Sequence, residues 1–432
     1  MSAAGEPPVP ADARVAVVGL GYVGLPLAVA FADAGFRVLG LDVDPVKCAR
    51  INDGCSVTPD VPDDVVAGHV QAGRLRATPD FAEVADAALI SICVPTPLSK
   101  SKDPDISYIV RATEDLLPHV RPGTVVVLES TTYPGTTREI LLDRFEQAGL
   151  VVGRDVYLAF SPERVDPGNE TWTIRNTPKV LGGLTEECGR RAEAFYARAI
   201  GTIVRVSCAE TAEMAKLLEN TFRAINIGLV NELAMVCGKL GLDVWEVIDA
   251  AATKPFGFMP FRPGPGLGGH CIPIDPLYLS WKMRLLDYKV RFIDLADEVN
   301  SGMPAYVVAR AQALLNDHGK AVNGSRVLLL GVAYKADIDD VRESPALDLW
   351  QMLGALGADL SYHDPHVPGF TLGEETVKGL SAEEALAGTF DLILIATGHA
   401  IVDHGRFADL GVPVLDTRNV LPGRRDAHVH RL

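Results

Sequence analysis

Short unbroken apolar runs alternate along this chain with longer stretches in which apolar residues recur at helical spacing. From Arg14 the run RVAVVGLGYVGLPLAVAFADAGFRVLGLDVD reads as an apolar strand, a glycine turn, an Ala-rich helix and a second apolar strand that ends at Asp42 and Asp44. That is a βαβ unit. Further strand runs stand at 88–94 (ALISICV), 124–131 (TVVVLEST), 156–162 (VYLAFSP) and 179–183 (KVLGG), with helical patterns between most of them. Strands alternating with helices predict a doubly wound parallel sheet.

The period changes after Cys208, where apolar residues at helical spacing continue to about Leu240 and are closed by Gly241, which predicts one long helix. Helical stretches at 243–252 and 287–317 are separated by KPFGFMPFRPGPGLGGHCIPIDP, too rich in Pro and Gly for regular structure. Beyond the polar NGS at 323–325 a second strand-helix-strand pattern begins, with RVLLLGVAY, a helix over 345–356, DLSYHDP, DLILIATGHA and VPVLDT. The expected fold class is α/β: two Rossmann-like doubly wound domains joined by a long central helix and a helical core.

Composition narrows the partners. The 432 residues are 48% hydrophobic and 22% charged with a formal charge of -16, which repels nucleic-acid phosphates and anionic lipid, so neither is an expected partner. Seven widely spaced cysteines (Cys48, Cys55, Cys93, Cys188, Cys208, Cys237, Cys271) lack the paired short spacing of a zinc site, so no metal is expected and a reducing cytoplasm fits. The opening MSAAGEPPVPADA has neither the basic start nor the apolar run of a signal peptide and reads as a disordered lead-in over 1–13. No apolar run approaches the ~18 residues of a membrane span.

Three motifs carry chemistry. Gly19, Gly21 and Gly24 form a GxGxxG between a strand and a helix, where backbone N–H groups approach a pyrophosphate. Asp42, at the end of the next strand, is placed to accept from a ribose 2′-hydroxyl, which selects NAD over NADP, and Lys47 is a further candidate at that edge. The second motif is Gly264, Gly266, Gly268, Gly269, His270, Cys271 with Asp275 beyond it, where a thiol beside a glycine-rich backbone suits attack on a carbonyl carbon. His270 is expected to pack or cap the loop, since adjacent residues in an extended segment point apart. Third, Lys216 and Asn220 lie four apart on the long helix, one face, as an oxyanion-stabilising pair requires. Thr96, Ser130, Thr131 and Glu163 stand at carboxyl ends of strands, where ligands bind in open parallel sheets, although a strand-end Ser or Thr also caps helices.

With these residues in hand, the chain resembles the nucleotide-sugar 6-dehydrogenases, the family of UDP-glucose, UDP-N-acetylglucosamine and UDP-N-acetylmannosamine dehydrogenases. The carriers are GLGYVGLPLA, DVD, VPTP, ESTTYPGT, FSPER, AEMAKLLENTFRAINI, PGPGLGGHCIPIDP and GVAYKADIDDVRESP, spanning Arg14 to about Thr417. The resemblance implies an NAD domain over 14–206, a central helical dimerisation domain with the cysteine loop over 207–318, and a nucleotide-sugar domain over 319–432. It implies a homodimer and four-electron oxidation of a C6 hydroxyl to the uronic acid through a Cys271 thiohemiacetal and thioester. It gives Lys216 and Asn220 the oxyanion role, Asp275 and Glu163 the handling of protons and water, and Thr131 the positioning of water. Tyr22, Val23, Thr96, Ser130 and Arg342 are implied at the cofactor. Arg164, Val165, Phe261, Arg262, the Gly264 to Gly268 loop and Lys335 are implied at the sugar nucleotide, with Glu163, Lys216 and Asn220. GGHC, where UDP-glucose enzymes more often read GGSC, favours the UDP-N-acetylglucosamine branch, with UDP-glucose or thymidine-diphosphate glucose as alternatives. A two-electron hydroxyacid dehydrogenase and a non-catalytic dinucleotide-binding protein are the rival readings.

Overall fold

The structure, a computed structural model, describes residues 9–10, 12–99, 103–165, 171–269, 271–424 and 426–432. Residues 1–8 and 11 of the expected lead-in, and His270, fall outside them. Contacts divide the chain into two compact units. One runs through Glu219 and takes in Trp281–Asp287; the other comprises Asn220–Ser280 and Tyr288–Leu432.

The first unit is built on eight strands: β1 (Arg14–Val18), β2 (Arg37–Leu41), β3 (Leu75–Thr78), β4 (Leu89–Ile92), β5 (Val125–Leu128), β6 (Tyr157–Phe160), β7 (Lys179–Gly183) and β8 (Ile203–Val206). Their order is β3-β2-β1-β4-β5-β6-β7-β8. The register pairs Val15 with Val38 on one side and with Leu89 on the other. The four residues of β4, β5 and β6 are buried throughout, as a sheet covered on both faces requires. The reversal of strand order between β1 and β4 puts the switch point, and the glycine turn, at the carboxyl ends of these two inner strands.

The sheet departs from the parallel expectation at one place: β6 and β7 pair antiparallel, Phe160 opposite Gly182. A parallel neighbour needs a crossover, usually a helix. The connection between these strands has no helix among its described residues, so the chain returns beside β6 in the opposite sense.

In the second unit, β9 (Arg326–Leu330), β10 (Asp359–His363), β13 (Leu392–Ile395), β14 (Val414–Asp416) and β15 (Val429–Arg431) form a parallel sheet of order β10-β9-β13-β14-β15. A hairpin of β11 (Gly369–Leu372) and β12 (Glu375–Lys378) stands apart from it. The helix Pro345–Ala355 starts at Ser344, whose side chain accepts from the Ala346 amide, with Pro345 in the first helical position. Helical and sheet residues share one core: Val230, Ala234 and Trp245 lie in the same buried cluster as Val307, Val327, Leu329 and Leu353.

The long helix spans Ala209–Leu240, 32 residues. Leu218, Phe222, Leu229, Leu233, Val236 and Leu240 remain exposed along it. A helix over Asp275–Arg284 was not expected from the pattern and begins inside the segment read as loop. No helix among the described residues is long and apolar enough to cross a membrane.

Candidate active site

In the first unit the three glycines of the turn answer three different demands. Gly19 adopts φ +89, and a Cβ there would meet the Cys93 carbonyl oxygen at 2.7 Å. A Cβ on Gly24 would collide with the Gly19 carbonyl, whereas Gly21 has nothing within 4 Å and leaves its backbone open. The helix Gly24–Asp33 that follows has no side-chain cap at Val23 and no acidic residue in its first turn. Its N-terminal amides and positive dipole end therefore suit a pyrophosphate. Tyr22 beside them is exposed. Asp42 is buried; its Oδ2 accepts from the Leu20 amide at 2.9 Å and from Lys47 Nζ at 2.8 Å, and its Oδ1 accepts from the Asp44 amide at 3.1 Å. Lys47 thus orients the carboxylate. An open depression lined by Val43, Pro79, Phe81, Arg111 and Glu114 adjoins this edge. These residues fit an adenine dinucleotide.

Thr96 and Ser130 do not cap helices. Thr96 Oγ1 donates to the Thr131 carbonyl at 2.6 Å, and Ser130 Oγ donates to the Val94 carbonyl at 2.6 Å, so the loops after β4 and β5 are latched together. Thr131 is half-buried beside them. Glu163 follows β6, where its Oε1 accepts from the Arg164 amide at 2.6 Å and the Val165 amide at 2.7 Å. The Arg164 guanidinium donates to the Pro178 carbonyl and pairs with Glu219 at 2.7 Å. Glu129, which opens the ESTTYPGT stretch just after β5, and Lys179, the first residue of β7, are two buried charged residues outside the candidate site set.

In the second unit, Asn220 and Asp275 are brought together from 55 residues apart: Asn220 Nδ2 donates to Asp275 Oδ2 at 2.5 Å, both side chains buried. The Asp275 amide donates to the Cys271 carbonyl at 2.8 Å, which seats the thiol one turn ahead of the helix Asp275–Arg284. A helix N-terminus favours negative charge nearby. Among the described residues none of the seven cysteines forms a disulfide; Cys48, Cys188 and Cys237 are buried, and Cys55 and Cys271 are exposed. Lys216 is buried on the long helix, one turn before Asn220.

The glycine loop is shaped by the protein packed around it. The Gly264 amide donates to Asn231 Oδ1 at 2.9 Å, and Asn231 in turn donates to Asn300 at 2.8 Å. A Cβ on Gly268 would meet the Glu343 carbonyl oxygen at 2.6 Å, and one on Gly269 would meet the Tyr334 ring at 2.7 Å. Gly266, at φ +140, packs on Pro345. Phe261 stacks edge-on against Phe222 at 5.7 Å, and Arg262 pairs with Asp249 at 2.5 Å. Arg342 forks onto Asp340, and Lys335 is half-buried in the same segment.

Arg418, after β14, was not singled out by sequence. Its Nε donates to the Ala396 carbonyl at 2.8 Å, and a Cβ on Gly264 would meet its Nη1 at 2.5 Å. Burial pulls its pKa down to about 10, with Asp416 alone opposing. A cation so placed beside the glycine loop suits an anionic ligand. One trio of metal-ligand types, Asp337, His366 and His399, lies close in this unit. His399 Nδ1 accepts from the Asp337 amide at 2.9 Å, so its proton is on Nε2, which donates to Asp364 at 2.9 Å. That ring has no lone pair left for a cation.

The chain is similar to known proteins over most of its length. The NAD-binding domain of the UDP-glucose/GDP-mannose dehydrogenase family matches residues 13–200, its central domain 210–302 and its UDP-binding domain 328–423. A UDP-N-acetyl-D-glucosamine 6-dehydrogenase from Pseudomonas aeruginosa is 35% identical over 90% of this chain and 91% of its own. An NDP-N-acetyl-D-galactosaminuronic acid dehydrogenase from Ralstonia solanacearum is 36% identical over 95% of each. The solved structure of a UDP-D-ManNAc dehydrogenase from Pyrococcus horikoshii superimposes with a TM-score of 0.88 at 32% identity, covering 97% of this chain and 98% of that one.

Proposed function

From the UDP-glucose/GDP-mannose dehydrogenase family, to which this chain belongs, we propose that this NAD-dependent nucleotide-sugar dehydrogenase oxidises the C6 hydroxyl of UDP-N-acetylglucosamine to a carboxylate by two successive two-electron steps. The observation that carries the reading is the Asn220–Asp275 side-chain hydrogen bond with Cys271 one turn before Asp275, its carbonyl accepting from the Asp275 amide. A two-electron hydroxyacid dehydrogenase has no use for the thiol.

NAD⁺ supplies the hydride acceptor for both oxidations. In the first, the C6 hydroxyl proton leaves by way of water near Asp275. The Cys271 thiolate then forms a C–S bond to the aldehyde carbon, and the carbonyl electrons move to oxygen, where the Lys216 ammonium and the Asn220 amide stabilise the oxyanion. After the second oxidation a thioester is left. Water adds to it, Glu163 or Asp275 takes the proton, and the thiolate departs.

The acetamido sugar is supported by relatives named for N-acetylated sugars and by GGHC in the cysteine loop. Absorbance at 340 nm with a panel of nucleotide sugars tests both parts. Two NADH per sugar consumed, fastest with UDP-N-acetylglucosamine, is the expected result. One NADH per sugar would sink the four-electron reaction, and faster turnover of UDP-glucose or thymidine-diphosphate glucose would reassign the substrate. The enzyme works in the cytoplasm as a homodimer that covers the exposed apolar stripe of the long helix, Leu218 to Leu240. Sedimentation at micromolar concentration reads this directly, and a monomer there would overturn it.

A further inference from the structure

The buried charges of the first unit form a cluster with unequal shares. Lys179 opens β7 and is 4% exposed. Its ammonium donates to Glu129 Oε2 at 2.7 Å and to the Pro162 carbonyl at 3.5 Å, and stands 3.7 Å from Glu163 Oε2. Glu129 Oε1 accepts from Ser91 Oγ at 3.0 Å and from the Tyr196 hydroxyl. Glu163 Oε1 is taken by two backbone amides, while its Oε2 is buried without a hydrogen bond. One ammonium therefore serves two carboxylates: Glu129 is a fixed structural partner, and among the described residues the second oxygen of Glu163 is held by the Lys179 ion pair without a hydrogen bond.

Among the described residues, two further titratable groups border the Glu129–Lys179 pair. Burial pushes the Cys93 thiol well up, with the Glu129 charge adding to it, so it is neutral. Burial likewise pushes the Tyr196 hydroxyl well up, and it acts as a donor. The Arg164 guanidinium is engaged by Glu219. Burial opposes the charge on Lys179, but the Glu129 and Glu163 carboxylates outweigh it and raise its pKa.

We propose that Lys179 is a positioning residue for thioester hydrolysis: its ammonium fixes the Oε2 edge of Glu163, the carboxylate that takes a proton from the attacking water. The proposal rests on the reading of Glu163 as that acceptor. In the step, the water oxygen bonds to the thioester carbon, its proton passes to Glu163, the C–S bond breaks, and Cys271 leaves as thiolate. No electron acceptor is needed.

Two variants pull in opposite directions. In Glu129→Gln the ammonium serves Glu163 alone, and the acid limb of turnover moves to lower pH. In the charge-balanced Lys179→Met/Glu129→Gln, which strands no carboxylate at position 129, the limb moves to higher pH by about 1, and a covalent adduct on Cys271 accumulates by quenched-flow mass spectrometry. At a fixed pH below that limb, turnover of the double variant is then about tenfold slower than that of the native chain, with KM for the sugar unchanged. Lys179→Arg keeps the charge and restores the profile. Limbs that move in the same direction for both variants, or a loss of turnover equal at every pH, would overturn the proposal, because a merely structural role predicts those results. Glu163→Gln separates the two layers. If it neither slows turnover nor accumulates adduct, the reading of Glu163 fails and the proposal with it. If it accumulates adduct while the double variant does not, Lys179 alone is wrong.

Discussion

Asp42 is set before any ligand arrives, since the Leu20 and Asp44 amides and the Lys47 ammonium already orient its carboxylate. On the proposed reading of Asp42 as the acceptor for a ribose hydroxyl pair, replacing it with Ala removes a charged acceptor worth about 1.5–3 kcal/mol. KM for NAD⁺ is expected to rise roughly 10- to 100-fold with kcat little changed, and discrimination against NADP⁺ to weaken; steady-state kinetics with both cofactors reads this. The place of Asp42 just after β2 was legible in the sequence because a βαβ unit puts strand-end carboxylates at a known place. Glu129 and Lys179 were not, because each sits in an apolar strand run and its partner lies 50 residues away. Arg418 was hidden for a related reason: its importance comes from Gly264, more than 150 positions earlier, and no local pattern joins them.

At the scale of elements, the glycine turn separates shape from function. Gly24→Ala places a methyl against the Gly19 carbonyl in a packed helix-strand contact, and overpacking of that kind costs about 1–3 kcal/mol. Gly21→Ala meets nothing in the protein. The thermal unfolding midpoint is expected to fall for Gly24→Ala and hold for Gly21→Ala, while KM for NAD⁺ rises in both. Strands were readable where apolar runs are buried on both faces, as in β4, β5 and β6. The antiparallel turn into β7 was not, because KVLGG fits a strand running either way and direction is set by the connection. The helix from Asp275 was hidden by the Pro- and Gly-rich segment before it, although Asp275-Pro276 is itself a common helix opening.

For the molecule as a whole, acid sensitivity has a nameable centre in the second unit. Asp364 accepts from the Val332, Ala333, His366 and Val367 amides and from His399, tying the ends of β9, β10 and β13. Burial opposes its charge, but the His399 bond and the backbone amides outweigh this and hold its pKa at about 2, below the ordinary 3.8. A depressed carboxylate contributes stability that is present above the unfolded value and lost as pH falls through the folded one. That contribution is roughly 2 kcal/mol. Urea unfolding midpoints are therefore expected to drop more steeply between about pH 4 and pH 2 in the native chain than in Asp364→Asn.

The uneven burial of the seven thiols has a further consequence for the whole chain. Cys48, Cys188 and Cys237 are shut away, while Cys55 and Cys271 face outward. An electrophile meets two exposed cysteines with different surroundings. Alkylation at Cys55 decorates a surface, whereas on the proposed mechanism alkylation at Cys271 blocks the sulfur that would carry the acyl group. A warhead built on a nucleotide-sugar scaffold has a built-in contrast here, since Cys55 reports its general reactivity and Cys271 its recognition.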